Sequence, residues 1–514
     1  MTNFTKILIE FAFLFLMFVS LSTYAQASNV SWNVTSGNFS TAAGWNPTHF
    51  PYSGDTALIN NGGTALLGAT SPPNSISSLA IGSASGYSGT LTQSNQTLTV
   101  TGEIWIGNGG GTATYNMSGG TLNAQSWFSI ARHYPSSDPT GTVGTVNFSG
   151  GTINKSGSGD FNICERGVGN QGALNMSGTA VLNVIVGNVV LAGGGDGSGG
   201  TATITMNGGT INLTTATPGG WAWYPQLMIG VGSSTSTGSF TLNSGTLNAG
   251  GWICVGRELS TGTVTINGGT LNKYDTEGDI IIGSTNPFST STSAGNGTWN
   301  QNGGTVYNPT RLILGQTGGS GTFNLKGGLV QAAAVGGGAG TSTFNFNGGT
   351  LQAVGDQSAY LQGLDNAYVK EGGAKIDTQG YDITIAQVLQ HGGAAALDGG
   401  LIKSGSGTLT ITQNATYTGN TTVSGGVLDM LNINTPTATV SVENNSALTA
   451  NSIVADTLNI GSGETDVVES LSGGPISSSS LSPVPEPGTL VLLATAALAT
   501  LVAGKKRATT RQSV

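Results

Sequence analysis

A chain of 514 residues with 37% hydrophobic residues has material for a core, and 85 Gly plus 15 Pro, about a fifth, stays under the ~25–30% of unordered low complexity. The six Lys and four Arg between residues 28 and 483 stand against 22 Asp and Glu, 10 − 22 = −12, with no basic cluster, which excludes a nucleic-acid or polyanion surface. Two cysteines, Cys164 and Cys254, form no disulfide framework for this length, and His49, His133 and His391 lie too far apart to suggest a zinc site.

The N-terminus has a weakly basic start at Lys6, an apolar run from Phe11 to about Leu21, and Ala25-Gln26-Ala27 as an A-x-A cleavage site. That run is short for a membrane span. Residues 1–27 therefore read as a secretory signal helix, with a retained anchor as the alternative, and the mature chain is expected to begin near Ser28. Residues 28–100 are expected to form a cap and the first coils, with Trp32, Trp45 and Phe50 covering the open end.

From residue 101 to 366 one pattern recurs. "TYNMSGGTLN" (114–123) returns as "TVNFSGGTIN" (145–154), "TITMNGGTIN" (203–212), "SFTLNSGTLN" (239–248) and "TVTINGGTLN" (263–272), with looser copies to residue 352. Apolar residues alternate on both sides of the Gly pair, which signals strand, turn, strand. A third short strand follows, as in "FSIAR" (128–132), "ICVGR" (253–257), "IIIGS" (280–284) and "LILGQ" (312–316). From Gly120 to Gly151 is 31 residues, Gly245 to Gly269 is 24, and Gly328 to Gly349 is 21. Three strands at such spacings suit a solenoid coil, whereas a propeller blade needs four strands and about 40–45 residues.

The fold class is therefore all-β, a right-handed parallel β-helix of three-strand coils. Val146 and Phe148, Ile204 and Met206, and Phe323 and Leu325 are expected to point inward and stack on their equivalents ~4.8 Å away. Asn123, Asn154, Asn183, Asn212, Asn248 and Asn272 are expected to form an amide ladder, a structural role set against a ligand-binding row. Cys164 and Cys254, three coils or roughly 14 Å apart, are too distant to pair.

Within this region "GGWAWYPQ" (219–226) places Trp221, Trp223 and Tyr224 in an inserted corner, either as a glycan contact or as a cap folded onto the coil. "YDTEGDI" holds Asp275, Glu277 and Asp279, which would share one face if extended and so form a candidate Ca²⁺ site. A solvated Gly-containing corner is the other reading, and the expectation is no metal and no cofactor. Arg132 and Glu165 fall at similar third-strand ends on adjacent coils, where an exposed ion pair would contribute little. Arg257 and Gln316 read as ordinary corner residues.

Residues 367–460 change character. Here "GLIKSGSGTLTITQNATYTGNTTVSGGVL" (400–428) resembles the autotransporter-associated β-strand repeat through Lys403, Gly405, Gly407, Thr408, Leu409, Tyr417, Gly419, Thr422, Val423, Gly426 and Leu428. The resemblance implies β-helix material of exported surface proteins and brings no catalytic residue. Residues 461–483 are Ser/Gly-rich and read as a linker.

The tail resembles the PEP-CTERM sorting signal: Val484-Pro485-Glu486-Pro487, the uncharged stretch Gly488 to Gly504, then Lys505-Lys506-Arg507, followed by a short tail, 508–514. That resemblance implies an exosortase-type membrane enzyme as partner, in a cell making exopolysaccharide. The uncharged stretch is expected to be a transmembrane helix of ~25 Å, which is short against a ~30 Å hydrocarbon core and so suits a temporary anchor. The basic cluster would hold its end in the cytoplasm.

The combination is similar to large secreted proteins of planctomycete and verrucomicrobial type. The expected function is a non-enzymatic scaffold or adhesin of the cell surface or matrix, reached through the export machinery and inner membrane. Alternatives are a carbohydrate-active enzyme on the same fold and a glycan binder using Trp221, Trp223 and Tyr224.

Overall fold

A computed structural model describes residues 28–461 apart from 69–74, 135–140, 194–198, 215–226, 277, 286–292 and 444, together with the backbone of 467–471 and 491–492. The signal segment, the Trp221–Tyr224 insertion, Glu277 and most of the sorting tail lie outside the described residues.

The described chain is all-β. One coil consists of Thr112–Met117, Thr121–Ala124 and Phe128–Arg132. The next consists of Val143–Phe148, Thr152–Lys155 and Phe161–Ile163, each strand pairing in parallel with its equivalent. The same first-to-first, second-to-second and third-to-third pairing continues through the repeat region, so three parallel sheets run along one axis. In several coils the first two strands are continuous through the glycine corner, as in Thr201–Leu213. All four third strands read from the sequence are present.

Alternation inside each strand builds the core. Val146, Phe148, Ile204, Met206, Phe323 and Leu325 are buried, as the two-residue period requires. Because parallel register puts like above like, Trp299, Phe323 and Phe344 form a column with centroids 5.8 and 5.0 Å apart and planes tilted 14° and 4°. The glycine corner has a double reason. Gly120 and Gly151 have φ of 81° and 87°, and a Cβ there would stand 2.3 Å from the Gln96 carbonyl oxygen and 2.5 Å from that of Gly120. Only a residue without a side chain meets both demands.

The expected amide ladder is present. Each side-chain N–H of Asn154, Asn183, Asn212, Asn248 and Asn272 donates to the carboxamide oxygen of the previous Asn, at 2.8 to 3.3 Å. Beyond Asn272 the same row reads Tyr307, Gln331, Gln352 and Asp377. It continues through Gln331 to Gln352 and Gln352 to Asp377, both at 2.6 Å.

Two expectations are corrected at the ends. The N-terminal cap is made by Trp32, Trp45 and Phe39, with ring centroids 4.9 and 5.0 Å apart in edge-to-face geometry. Trp32 pairs antiparallel with Trp45, which fixes that ring beneath the first coil. Phe50 sits in a non-strand loop that nothing aims inward, and it is 39% exposed.

At the other end Val467–Leu471 adds a parallel strand to the last long coil, and Val491–Leu492 pairs with it in turn. The first lies inside the stretch read as a linker, and the second replaces helix at those two positions with strand. An open sheet edge offers unpaired N–H and C=O groups to any β-branched segment that follows. No helix among the described residues is long and apolar enough to cross a membrane.

Candidate functional site

The third strand of each coil carries a local twist that decides where its polar residues go. Its fourth residue is left-handed in coil after coil: Gly107, Gly230, Gly256, Gly283 and Gly315 have φ between 64° and 82°. In three coils the position is held by Ala131, Cys164 and Ala192, at 57°, 59° and 54°. A non-glycine residue in this region is strained, and the bend re-aims the side chain that follows.

After Ala131 and Cys164 those following residues are Arg132 and Glu165, and after Ala192 it is Gly193. Arg132 Nη1 lies 2.5 Å from Glu103 Oε2, and its Nε lies 3.5 Å from Glu165 Oε2. Trp105 Nε1 donates to Glu103 Oε2 at 2.7 Å, and Ser129 Oγ donates to Glu165 Oε2 at 2.6 Å. The guanidinium carbons of Arg132 and Arg166 stand 5.3 and 5.2 Å from the ring centre of Tyr134, itself half exposed. The pair was expected to be exposed. It is enclosed, since the side chains of Arg132 and Glu165 are 14% and 7% exposed. Removing Arg132 would therefore take from buried Glu165 the nearer of its two guanidinium partners, Arg166 standing 4.0 Å away.

The remaining sequence candidates disperse. Asp279 is buried and spends both oxygens on Arg311: Nη2 to Oδ2 at 2.7 Å, and Nε and the backbone N–H to Oδ1 at 3.3 and 3.1 Å. Those bonds hold the Arg311 guanidinium above its usual range. Asp275 presents its backbone oxygen to Lys273 Nζ at 2.8 Å. Among the described residues no three His, Cys, Asp or Glu converge as a metal would require. Cys164 and Cys254 are unpaired and buried, three coils apart in the third-strand sheet, and burial pushes their thiols up to about 12 and about 11. Arg257 is almost buried, beside Glu258, and Gln316 is half-buried.

The last coils hold a different kind of polar centre. Lys403 is fully buried, and its Nζ donates to Thr378 Oγ1 and to the carbonyls of Ser404, Gly405 and Gly425 at 2.6 to 3.0 Å. It thus clamps the coil before and the coil after its own. Burial pushes its ammonium down to about 8. Lys155 does the same in the repeat region with Gly157, Ser158 and Val186, and burial again takes it to about 8.

Asp398, on the approach to the same coil, accepts from the backbone N–H groups of Gly400, Gly419 and Thr418 at 2.8 to 2.9 Å. It also meets His391 Nδ1 at 2.9 Å. Burial alone would raise this carboxyl, but the four bonds together hold it below the usual carboxylate range.

Residues 401–430 match the family described as the Passenger-associated-transport-repeat, and residues 483–507 match the PEP-CTERM protein-sorting motif. The chain carries a PEP-CTERM sorting signal. It marks an exported protein of the cell envelope or surface, recognised by exosortase-type sorting machinery. No curated protein and no solved structure matches the chain.

The passenger-associated repeat is built around a buried lysine. Its Lys403 is the clamp, and Gly405, at φ 81°, forms the corner that supplies one of the carbonyls. Leu409, Val423 and Leu428 face the core, and buried Tyr417 places its hydroxyl 2.6 Å from Thr421 Oγ1. Gly419 gives its N–H to Asp398, and its missing side chain leaves that carboxylate room, since a Cβ would come within 2.9 Å of Oδ1.

Sequence reasoning missed Asp398, His391 and Glu103. No periodic signal marks them: His391 and Asp398 meet inside one irregular corner, while Glu103 meets Arg132, and Asp398 meets Thr418 and Gly419, in the next coil at separations the insertions make irregular. Val484–Pro487, Lys505–Arg507, Ala25, Ala27 and Trp221–Tyr224 lie outside the described residues.

Proposed function

We propose that the chain is a right-handed β-helix that serves as a non-enzymatic scaffold or adhesin of the cell surface or extracellular matrix, in contact with exopolysaccharide. Its signal peptide directs export. The uncharged segment after Pro487 holds it transiently in the inner membrane while the exosortase-type enzyme reads Val484–Pro487. The observation that carries this reading is the sorting motif placed after a solenoid whose asparagines bond their own copies from coil to coil. Such a body is long, rigid and repetitive, which suits a structural element more than a catalyst.

Mass spectrometry of the mature C-terminus, with fractionation of cells, envelope and medium, tests it. The expected result is loss of residues 488–514 and recovery outside the inner membrane. An intact tail on the mature protein overturns the sorting step.

A second reading, a carbohydrate-active enzyme, draws on Glu103 and Glu165 flanking Arg132. Two carboxylates around one polar group are what acid/base hydrolysis needs. Here one oxygen of each is already held by Trp105 or Ser129, so the scaffold reading is preferred. Glycan hydrolysis or elimination that disappears in Glu103→Gln and Glu165→Gln would reverse that preference.

A further inference from the structure

The outer face of the first-strand sheet has a uniformity that the core does not require. Ten strands, from Ser88–Gln93 to Thr341–Phe346, pair in unbroken register. Each presents three outward residues, giving 30 positions, of which 28 are Ser, Thr, Asn or Gln and none is charged. None of the 30 is buried. One row runs Thr90, Thr114, Thr145, Ala173, Thr203, Ser239 and onward to Thr343.

The next row includes Asn116, Asn147 and Asn175, linked amide to amide at 2.9 and 3.0 Å, and Asn300, Asn324 and Asn345, linked at 2.9 and 2.8 Å. A carboxamide has two N–H donors and two acceptor lone pairs. The ladder uses one of each, so every linked interior Asn still offers a donor and an acceptor outward. Threonine side chains are stiff at χ1, so the hydroxyl rows are ordered before any ligand arrives.

The two apolar exceptions are Val143 and Ala173, neighbours on adjacent coils. They lie in a groove of about 620 Å³ whose wall includes Thr145, Thr201, Thr203 and Val168, the last 61% exposed. A shallow trough lined by small apolar side chains and hydroxyls suits a pyranose ring, which shows C–H groups on its faces and hydroxyls at its rim.

We propose that this face binds an uncharged polysaccharide lying along the solenoid axis, with one sugar seated on Val143 and Ala173. The ten strands span ~43 Å at ~4.8 Å per coil, room for an extended chain of several sugars. The absence of charge across the face disfavours a uronate polymer, and the absence of aromatic or large apolar side chains disfavours a protein partner. The proposal rests on the reading of exopolysaccharide contact above and gives it a surface. It is tested on purified protein, so a failure of sorting and a failure of binding are seen separately.

The probes are microcrystalline cellulose, chitin and dextran, with alginate as the anionic comparison. Retention on at least one neutral polymer is expected, little changed by high salt because no ion pair is involved. The double variant Ala173→Lys, Thr203→Lys should lower that binding by about tenfold or more. Thr152→Lys, on the second-strand face, should leave it unchanged. Both variants must match the native protein in circular dichroism and urea midpoint, which separates lost binding from lost fold. Failure to bind any neutral polymer overturns the proposal. So does equal binding by the double variant, or preference for alginate.

Discussion

The repeat body and the passenger-associated coil solve the same problem in different ways. Between Thr112 and Phe346 most coils repeat one consensus, so many polar and aromatic groups find their partner in their own copy, Asn on Asn and Phe on Phe, with Lys155 and the Arg132 and Asp279 ion pairs as unlike exceptions. From residue 367 the consensus is gone. The last coils are held by single, unlike centres, Lys403 among four oxygens and Asp398 among three backbone N–H groups and His391. Repetition spreads stability over many small equal contacts. A non-repeating coil concentrates it in a few buried charges.

That contrast can be broken at chosen points. The largest effect is expected from Phe323→Ala, which empties the middle of the Trp299–Phe344 column and should cost about 3–5 kcal/mol, read as a lower urea midpoint. Lys403→Met comes next. It takes the ammonium from the carbonyls of Gly405 and Gly425, while that of Ser404 keeps the Thr378 N–H, and should cost about 3 kcal/mol, opening 401–430 to limited proteolysis before the repeat body. Cleavage that begins within 112–346 instead would show that the last coils do not depend on the clamp.

Lys403 also has a pH signature. Its folded value of about 8 lies below the ~10.4 of an unfolded lysine, so between those values the unfolded chain binds more protons. The contribution of this group to stability therefore rises with pH across that window, and Lys403→Met should remove the rise.

Asp398 behaves in the opposite sense. Its folded value is depressed, so its stabilisation is present above about pH 4, the unfolded value, and is lost as pH falls through the folded one. Asp398→Asn should flatten that acid limb, and an unchanged limb would remove Asp398 from the account. The smallest effect is expected from Asn212→Ala. One link of a part-exposed ladder should be worth about 1 kcal/mol or less, and a loss as large as that of Lys403→Met would mean that the ladder acts as one cooperative unit.

Most of the fold was legible because repetition makes it redundant. The alternation in "TVNFSGGTIN", the glycine corner and the closing Asn each recur in many copies, and parallel stacking turns an equal position into an equal neighbour. The cap was only partly legible: Trp32 and Trp45 were found, but Phe39 took the place given to Phe50, since an isolated aromatic residue carries no period. The Arg132–Glu165 pair was legible as a pair and not as an enclosed one, because Glu103 and the left-handed bend at Ala131 come from different coils.

By itself, then, the sequence determined the strand period, the three-strand coil, the amide ladder and the sorting address, all of them local or repeated patterns. The tertiary structure alone decided which residues meet across coils of unequal length: Asp398 with Thr418 and Gly419, Lys403 with Thr378 and Gly425, and Val143 and Ala173 along one groove. The physical reason is that coil-to-coil contact depends on how many residues each corner inserts, and only the folded register removes that uncertainty.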